Sequence, residues 1–447
     1  MRIVQGAKES RNTLLSRPSL TERVLPAAVR EVTRRVFGAE LDAADVVERI
    51  LRDVKETGDA AVRRYNREID GAGDDASKMP LEVSPEEIER AYEKTETPLV
   101  SALRQAADRI RSFHELQLAN SLRPFQNGAV GQIVRPLKRA GLYVPGTSAI
   151  YPSTVLMSVI PARVAGVGEV LMCTPVDAKG DVATLKLVAA DIAGVDRVFK
   201  VGGVQGVAAM AFGTETIPRV DKICGPGNIF VTLAKKQLFG QVGIDGIFGP
   251  SETVVVADEQ AEAPLVAADL LAGAEHDELA TAILLTDSET LAAKVAELVD
   301  AGIGSLERAI IAETSMEAHG GVIIVDSIDE AIDLANEFAP EHLCLHLSNA
   351  DVAVQQVRNA GCVFVGADSV ESIGDYTAGP SHVMPTGGSA AYASPLGVQD
   401  FLRVMSVVRL DQDTVTAIGP AAAAIARAEG LTGHARAVEH RLRQEPR

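Results

Sequence analysis

Apolar residues recur at helical spacing through the first 130 positions. Val47, Ile50, Leu51 and Val54 stand at i, i+3, i+4 and i+7, one stripe of 3.6-residue period, and Gly58 falls where that helix needs a left-handed stop. Ser84, Pro85 and Glu87 have the pattern of a capping box with proline at the first helical position, so a second long helical region is expected from there through Phe113. The stretch between them, DGAGDDASKMP over 70–80, reads as turns. From Arg139 the texture changes. Short apolar runs at 141–144, 169–174, 197–201 and 220–224 alternate with segments of helix length such as 183–192 and 228–238. The alternation resumes after Gly249, with runs at 253–257, 281–286, 322–325, 342–347 and 362–365 and helices near 265–274, 289–300 and 328–338.

Two rounds of βα alternation predict an α/β fold with two Rossmann-like, doubly wound parallel-sheet domains, preceded by an N-terminal helical region and followed by a small C-terminal tail. The expected divisions are 1–130, 131–248, 249–380 and 381–447. The tail reads as loops with a helical end at 421–428, too little to hold a core alone, and is expected to dock on a second subunit.

Composition narrows the class. With 43 Lys and Arg against 61 Asp and Glu, the net charge of −18 disfavours nucleic acid and anionic membranes as partners. The 47% apolar and 23% charged fractions are those of a globular chain. No signal-peptide pattern and no run of about 18 apolar residues is present, which predicts a cytoplasmic protein. Four scattered cysteines without a CxxC spacing argue against a cysteine zinc site and a disulfide framework.

Of eight histidines, five stand at element ends or in loops: His276, His319, His342, His382 and His434. His276 follows the helical segment ADLLAGAE, where a cation at a helix C-terminus is as good a reading as a functional one. Glu341 and His342, in APEHLCLHL, put an acid and an imidazole at the mouth of a strand. The His342 to His346 spacing mimics a zincin helix, yet Leu343 stands where the glutamate must be; on a strand His342, Cys344 and His346 share a face, which leaves a metal cluster or a packed core open. The segment ESIGDYTAGPSHVMPTGG carries Asp375, Tyr376 and His382 in a glycine-rich loop. No GxGxxG fingerprint occurs. Two weaker loops remain, Gly202, Gly203 and Gln205, and Gly225 to Asn228, the second opening a helix whose free N–H groups could hold a pyrophosphate.

Eight segments, taken in order, resemble the histidinol dehydrogenase family: GDAAVRRYNREIDG, RAGLYVPGTSAIYPSTVLMSVIPARVAG, VGGVQGVAAMAFGTETIPRVDKICGPGNIFVTLAKK, GPSETVVVAD, AEHD, NEFAPEHL, ESIGDYTAGPSHVMPTGG and AEGLTGHARAVEHR. The resemblance runs from about residue 57 to 440. It implies a cytosolic zinc- and NAD-dependent oxidoreductase that closes histidine biosynthesis, taking L-histidinol to L-histidine through the aldehyde while two NAD are reduced. It further implies zinc ligands at His276, Asp375 and His434, the last supplied by the other subunit of a domain-swapped homodimer. The catalytic pair it implies is His342, acting on the hydroxyl proton, and Glu341, acting on water. Substrate contacts fall on Ser251, Glu371, His382 and Glu429 together with the three zinc ligands, and NAD contacts on Tyr143, Gln205 and Asn228. One position departs: the family usually has Gln-Ala-Glu-His, and here Gly273 offers no side-chain oxygen, so a water in the vacancy, or Glu275 or Asp277 swinging in, is expected. Two other readings fit the same residues, a relative oxidising another primary alcohol such as a sulfonated propanediol and a zinc hydrolase using Glu341 as base.

Overall fold

In a computed structural model the described residues are 1–17, 27–39, 41–71, 73, 79–146 and 150–443. Their strands, in chain order, are β1 (Ile3–Gln5), β2 (Phe125–Asn127), β3 (Val130–Pro136), β4 (Arg139–Tyr143), β5 (Glu169–Thr174), β6 (Arg197–Lys200), β7 (Lys222–Cys224), β8 (Gly243–Ile244), β9 (Glu252–Ala257), β10 (Thr281–Thr286), β11 (Gly321–Ile324), β12 (His342–His346), β13 (Cys362–Val365) and β14 (Leu402–Val408). Five form a parallel sheet in the order β6-β5-β4-β7-β8, and six form another in the order β1-β11-β10-β9-β12-β13. All nine apolar runs of the sequence reading are strands of these two sheets.

Continuous apolar runs suit parallel strands because both faces are covered. Val254, Val256, Leu343 and Leu345 enter one core of the six-stranded sheet, while Val255, Ala257 and Cys344 enter the core on its other face. The five-stranded sheet divides likewise, with Leu142, Val170 and Met172 on one side and Tyr143, Leu171 and Cys173 on the other.

The N-terminal region departs from the expected helical body. Its first strand joins the far edge of the six-stranded sheet, with Ile3 opposite Val322. The helices Ala43–Thr57 and Asp59–Glu68 supply Val47, Ile50, Val62 and Tyr65 to the core of the five-stranded sheet, so they cover that sheet instead of standing alone. Gly58 takes φ 55° between them, as the stop signal required. Ser84 and Glu87 make the capping box, but the helical stretch breaks after Lys94 and resumes as Thr97–Ala119, with Pro98 in its first turn.

The C-terminal segment departs further. Val383, Leu396, Val398 and Phe401 are buried beside Leu142 and Val155 in the core of the five-stranded sheet, so 381–401 belongs to the body of its own chain. Strand β14 then pairs antiparallel with β3, Val404 opposite Val134, in a three-stranded sheet β14-β3-β2 that the sequence reading did not contain. Beyond it, the helices Gln412–Ala428 and Thr432–Leu442 pack on each other, Gly419 against Val438 and Leu442. Ile418, Ile425 and Leu431 stay exposed on this pair. All four cysteines are free, and among the described residues no helix is long and apolar enough to cross a membrane.

Candidate active site

The polar centre of the molecule forms where β9, β12 and β13 begin. Ligands of open α/β sheets ordinarily lie beyond the carboxyl ends of the strands. Here the six-stranded sheet uses its amino ends, with His342 at the start of β12 opposite Thr253 and Cys362. Two backbone features place the acid beside the imidazole. Ala339 adopts φ 50°, a left-handed conformation that costs a non-glycine residue energy, ending the helix Ile328–Phe338 just before Pro340. Gly361 lets the chain pass so close to the Glu341 carbonyl that a Cβ there would lie 2.5 Å from it. Glu341 thereby tucks under β9, its Oε2 accepting from the Glu252 N–H at 3.1 Å and standing 3.7 Å from His342 Nδ1.

Three carboxylates surround the His342 ring. Asp375 Oδ1 lies 3.3 Å from Nε2, Glu371 Oε1 lies 3.8 Å from Nδ1, and Phe364 stacks on the ring at 5.9 Å between centroids. Nδ1 is buried and has no hydrogen-bond partner. Burial opposes charge on His342, but Glu371, Glu341 and Asp375 outweigh it and hold the imidazole well above its ordinary pKa. Glu341 is pushed up to about 8, first by burial, and Glu371 to about 7 for the same reason. Asp375 is also penalised by burial, yet its bond to His342 keeps it below the usual carboxylate value. Asp375 sits in a π-helical turn, Gly374–Ala378, which follows the short helix Glu371–Ile373 and brings both acids to one side. His382 closes the cluster, Nδ1 at 2.9 Å from the Asp375 carbonyl and Nε2 at 3.1 Å from Thr154 Oγ1. Burial lowers the His382 pKa.

Among the described residues, His276, Glu371 and Asp375 bring ligand atoms to within 4.8 Å of one another. One imidazole nitrogen and two carboxylate oxygens suit zinc, so the donors present fit the metal that the sequence led one to expect. His276, lowered by burial, points Nε2 at Glu371 Oε1, 4.0 Å away. Two of the expected ligands, His276 and Asp375, stand together with Glu371, whereas His434, expected to act from a second subunit, and Glu429 lie exposed in the C-terminal segment of their own chain, outside the cluster. Asp277 is turned to the Leu279 N–H at 2.9 Å. Ser251, half-buried, immediately precedes β9. His346 bonds Asp269 at 2.8 Å, so the second histidine of β12 has a carboxylate partner of its own on the helix Ala263–Ala274.

Tyr143, Gln205 and Asn228 lie at the other sheet, after the carboxyl ends of β4, β6 and β7. The Gly203 N–H donates to Tyr143 Oη at 3.1 Å, and Gln205 Nε2 donates to Asp70 Oδ2 at 2.7 Å and Asn66 Oδ1 at 3.2 Å. Gln205 Oε1 is buried with no partner. Asn228 caps the helix Ile229–Leu238 and is exposed at its tip. Two helix N-termini beside an orphaned amide oxygen fit a polar, phosphate-bearing cofactor. Thr154, in the helix after β4, joins this side to the first through its bond to His382. Sequence reasoning missed Thr154, Thr253 and Asp70. Their roles rest on partners 228, 118 and 135 positions away, and no local pattern records such pairings.

A buried acid–base pair beside a metal-competent cluster, carried on parallel sheets, defines an α/β enzyme. The histidinol dehydrogenase family model matches residues 34–442. The chain is 46% identical to the histidinol dehydrogenase of Dehalococcoides mccartyi strain CBDB1 over 442 residues, covering 99% of this chain and 100% of that one. It is 47% identical to that of Deinococcus radiodurans over 446 residues, covering 99% and 100%. The crystal structure of histidinol dehydrogenase from Elizabethkingia anophelis superposes with a TM-score of 0.88 at 34% identity, covering 99% of this chain and 98% of that one. The chain belongs to the histidinol dehydrogenase family and is an oxidoreductase.

Proposed function

We propose that this chain oxidises L-histidinol to L-histidine by way of the aldehyde, with zinc bound and two NAD reduced, as a cytoplasmic homodimer. What carries the reading is His342, buried among Glu341, Glu371 and Asp375 with Nδ1 unbonded, in a chain that matches its family over residues 34–442. Zinc held by His276 and Asp375, with His434 from a second copy, would orient the amine and imidazole of the substrate, and NAD would accept the electrons. The reading assigns Ser251, Glu371, His382 and Glu429 to the substrate, and Tyr143, Gln205 and Asn228 to the cofactor.

The carboxylates alone make His342 hold a proton more tightly than an ordinary imidazole, and a cation held by Asp375 would loosen that hold; the neutral ring then takes the hydroxyl proton at Nδ1, since Nε2 is already engaged by Asp375. The surrounding carboxylates stabilise the imidazolium that results. Glu341 takes a proton from the water that attacks the aldehyde, giving the hydrate. Its raised affinity for protons makes it a stronger base than an ordinary carboxylate. Once His342 has released its first proton to solvent, it takes a hydroxyl proton of the hydrate in the second oxidation. NADH formation with L-histidinol, measured beside other amino alcohols and a sulfonated propanediol, tests the substrate. Faster turnover of a sulfonated alcohol would transfer the reading to that substrate, and ester or amide hydrolysis without NADH would replace it by a hydrolase.

Asp70 gives a second expectation. Burial raises its carboxyl to about 7, although Gln205 and the Gly202 N–H favour the ionised form. Between about pH 4, the unfolded value, and pH 7 the folded chain keeps a proton that the unfolded chain has released, so stability falls as pH rises through this window. Asp70→Asn should therefore melt increasingly above the parent chain as pH goes from 4.5 to 7.5. A constant difference in Tm would show that Asp70 ionises normally. Asp70→Ala, which frees Gln205, should raise KM for NAD more than it lowers kcat.

A further inference from the structure

Gly273 lies three residues before His276, in the last turn of the helix Ala263–Ala274, and has no donor to offer a metal. Its space is filled by Thr253. A Cβ at position 273 would lie 2.5 Å from Thr253 Oγ1 and 2.8 Å from Thr253 Cβ. Thr253 cannot retreat, because β9 is paired on both sides, by β10 and β12. Its hydroxyl donates to Glu371 Oε2 at 2.8 Å. That bond leaves Oε1 turned toward His276 Nε2 at 4.0 Å and His342 Nδ1 at 3.8 Å, neither a hydrogen bond. Glu371 is 1% exposed, and with Glu341 and Asp375 it makes three buried carboxylates around one imidazole. Such a cluster ionises fully only with a compensating cation beside it.

We propose that Glu371 is itself a zinc ligand, anchored by Thr253, and that glycine at 273 is what allows Thr253 to stand there; this rests on the zinc reading above. Glu371 supplies to the metal the oxygen that residue 273 cannot. Glu371 coordinates through Oε1, while Thr253 is a positioning residue acting through Oε2.

Zinc retention against a competing chelator, and the visible spectrum of the cobalt-substituted protein, test this without substrate. Glu371→Gln and Thr253→Val should each weaken retention by roughly 10- to 100-fold and alter the cobalt spectrum. Thr253→Ser should restore both, and Gly273→Ala should behave like Thr253→Val. Glu371→Gln preserves shape, and melting of the metal-free proteins separates lost coordination from lost folding. Unchanged zinc retention and cobalt spectrum in Glu371→Gln would overturn the proposal. A parent chain that holds zinc through Glu371 yet makes no NADH from L-histidinol would remove the substrate reading and leave the ligand in place. A parent chain that takes up no zinc would remove both.

Discussion

Asparagine in place of His342 is expected to slow both oxidation steps by about 10²–10⁴-fold, the range that positioned acid–base groups contribute. Each step removes a hydroxyl proton, and Nδ1 of His342 is the buried nitrogen left without a partner to receive it. The side-chain amide of asparagine retains polarity but has no comparable basicity, so kcat should fall for the alcohol and for supplied aldehyde alike. Glu341→Gln should separate the two. Its loss should leave alcohol oxidation near normal while slowing oxidation of supplied aldehyde, because water needs a base only in the second half of the reaction. Single-turnover NADH formation from each substrate reads both variants directly. Normal aldehyde oxidation by the Glu341→Gln protein would remove Glu341 from the role of water base, and equal loss in both steps would make it a support for His342.

The parallel strands were legible because burial on both faces writes them as unbroken apolar runs. EVLMCT, TAILLT and CVFV coincide with β5, β10 and β13 to the residue. Strand β14 was not, for the opposite reason. Leu402–Val408 lies largely exposed at a sheet edge, and its partner β3 is far away in sequence, so neither burial nor a turn marks it. The three residues of β1 are likewise too few to carry a period. Loop composition misled at 381–401, where glycine and proline suggested a tail. Val398 and Phe401 are fully buried, and the irregular backbone follows a core already shaped by the five-stranded sheet.

The site divides in the same way. His276, Glu341, His342, Glu371, Asp375 and His382, named from the sequence, converge at the amino ends of β9, β12 and β13. The amino edge was readable for Glu341 and His342, which precede and open the run 342–347, but not for Glu371, Asp375 and His382, which follow the run 362–365 and reach that edge only by folding back. The rule favouring carboxyl ends holds for the position of Tyr143 and fails for that of His342. The bonds from Thr154 to His382 and from His382 to Asp375 connect the two edges.

Mixing two inactive chains is expected to restore activity to about a quarter of the parent level, if the C-terminal helices are exchanged between subunits. In its own chain His434 is exposed on the helix Thr432–Leu442, away from His276 and Asp375. The helix pair bearing it leaves Ile418 and Ile425 exposed at i, i+7, one apolar stripe of the kind that a partner surface covers. His434→Ala and His276→Ala should each abolish turnover, since each removes an imidazole from every site of its homodimer. In a mixed dimer, one site joins an intact body to an intact tail and the other carries both lesions. Random exchange makes half the dimers mixed, each with one of two sites restored, which gives the quarter. Partial unfolding and refolding of the two chains together, followed by separation of the mixed species on differently tagged subunits, would isolate dimers expected to hold half the parent activity. Purified mixed dimers without activity would show that each site is completed within one chain, and a monomer at working concentrations would end the exchange model outright.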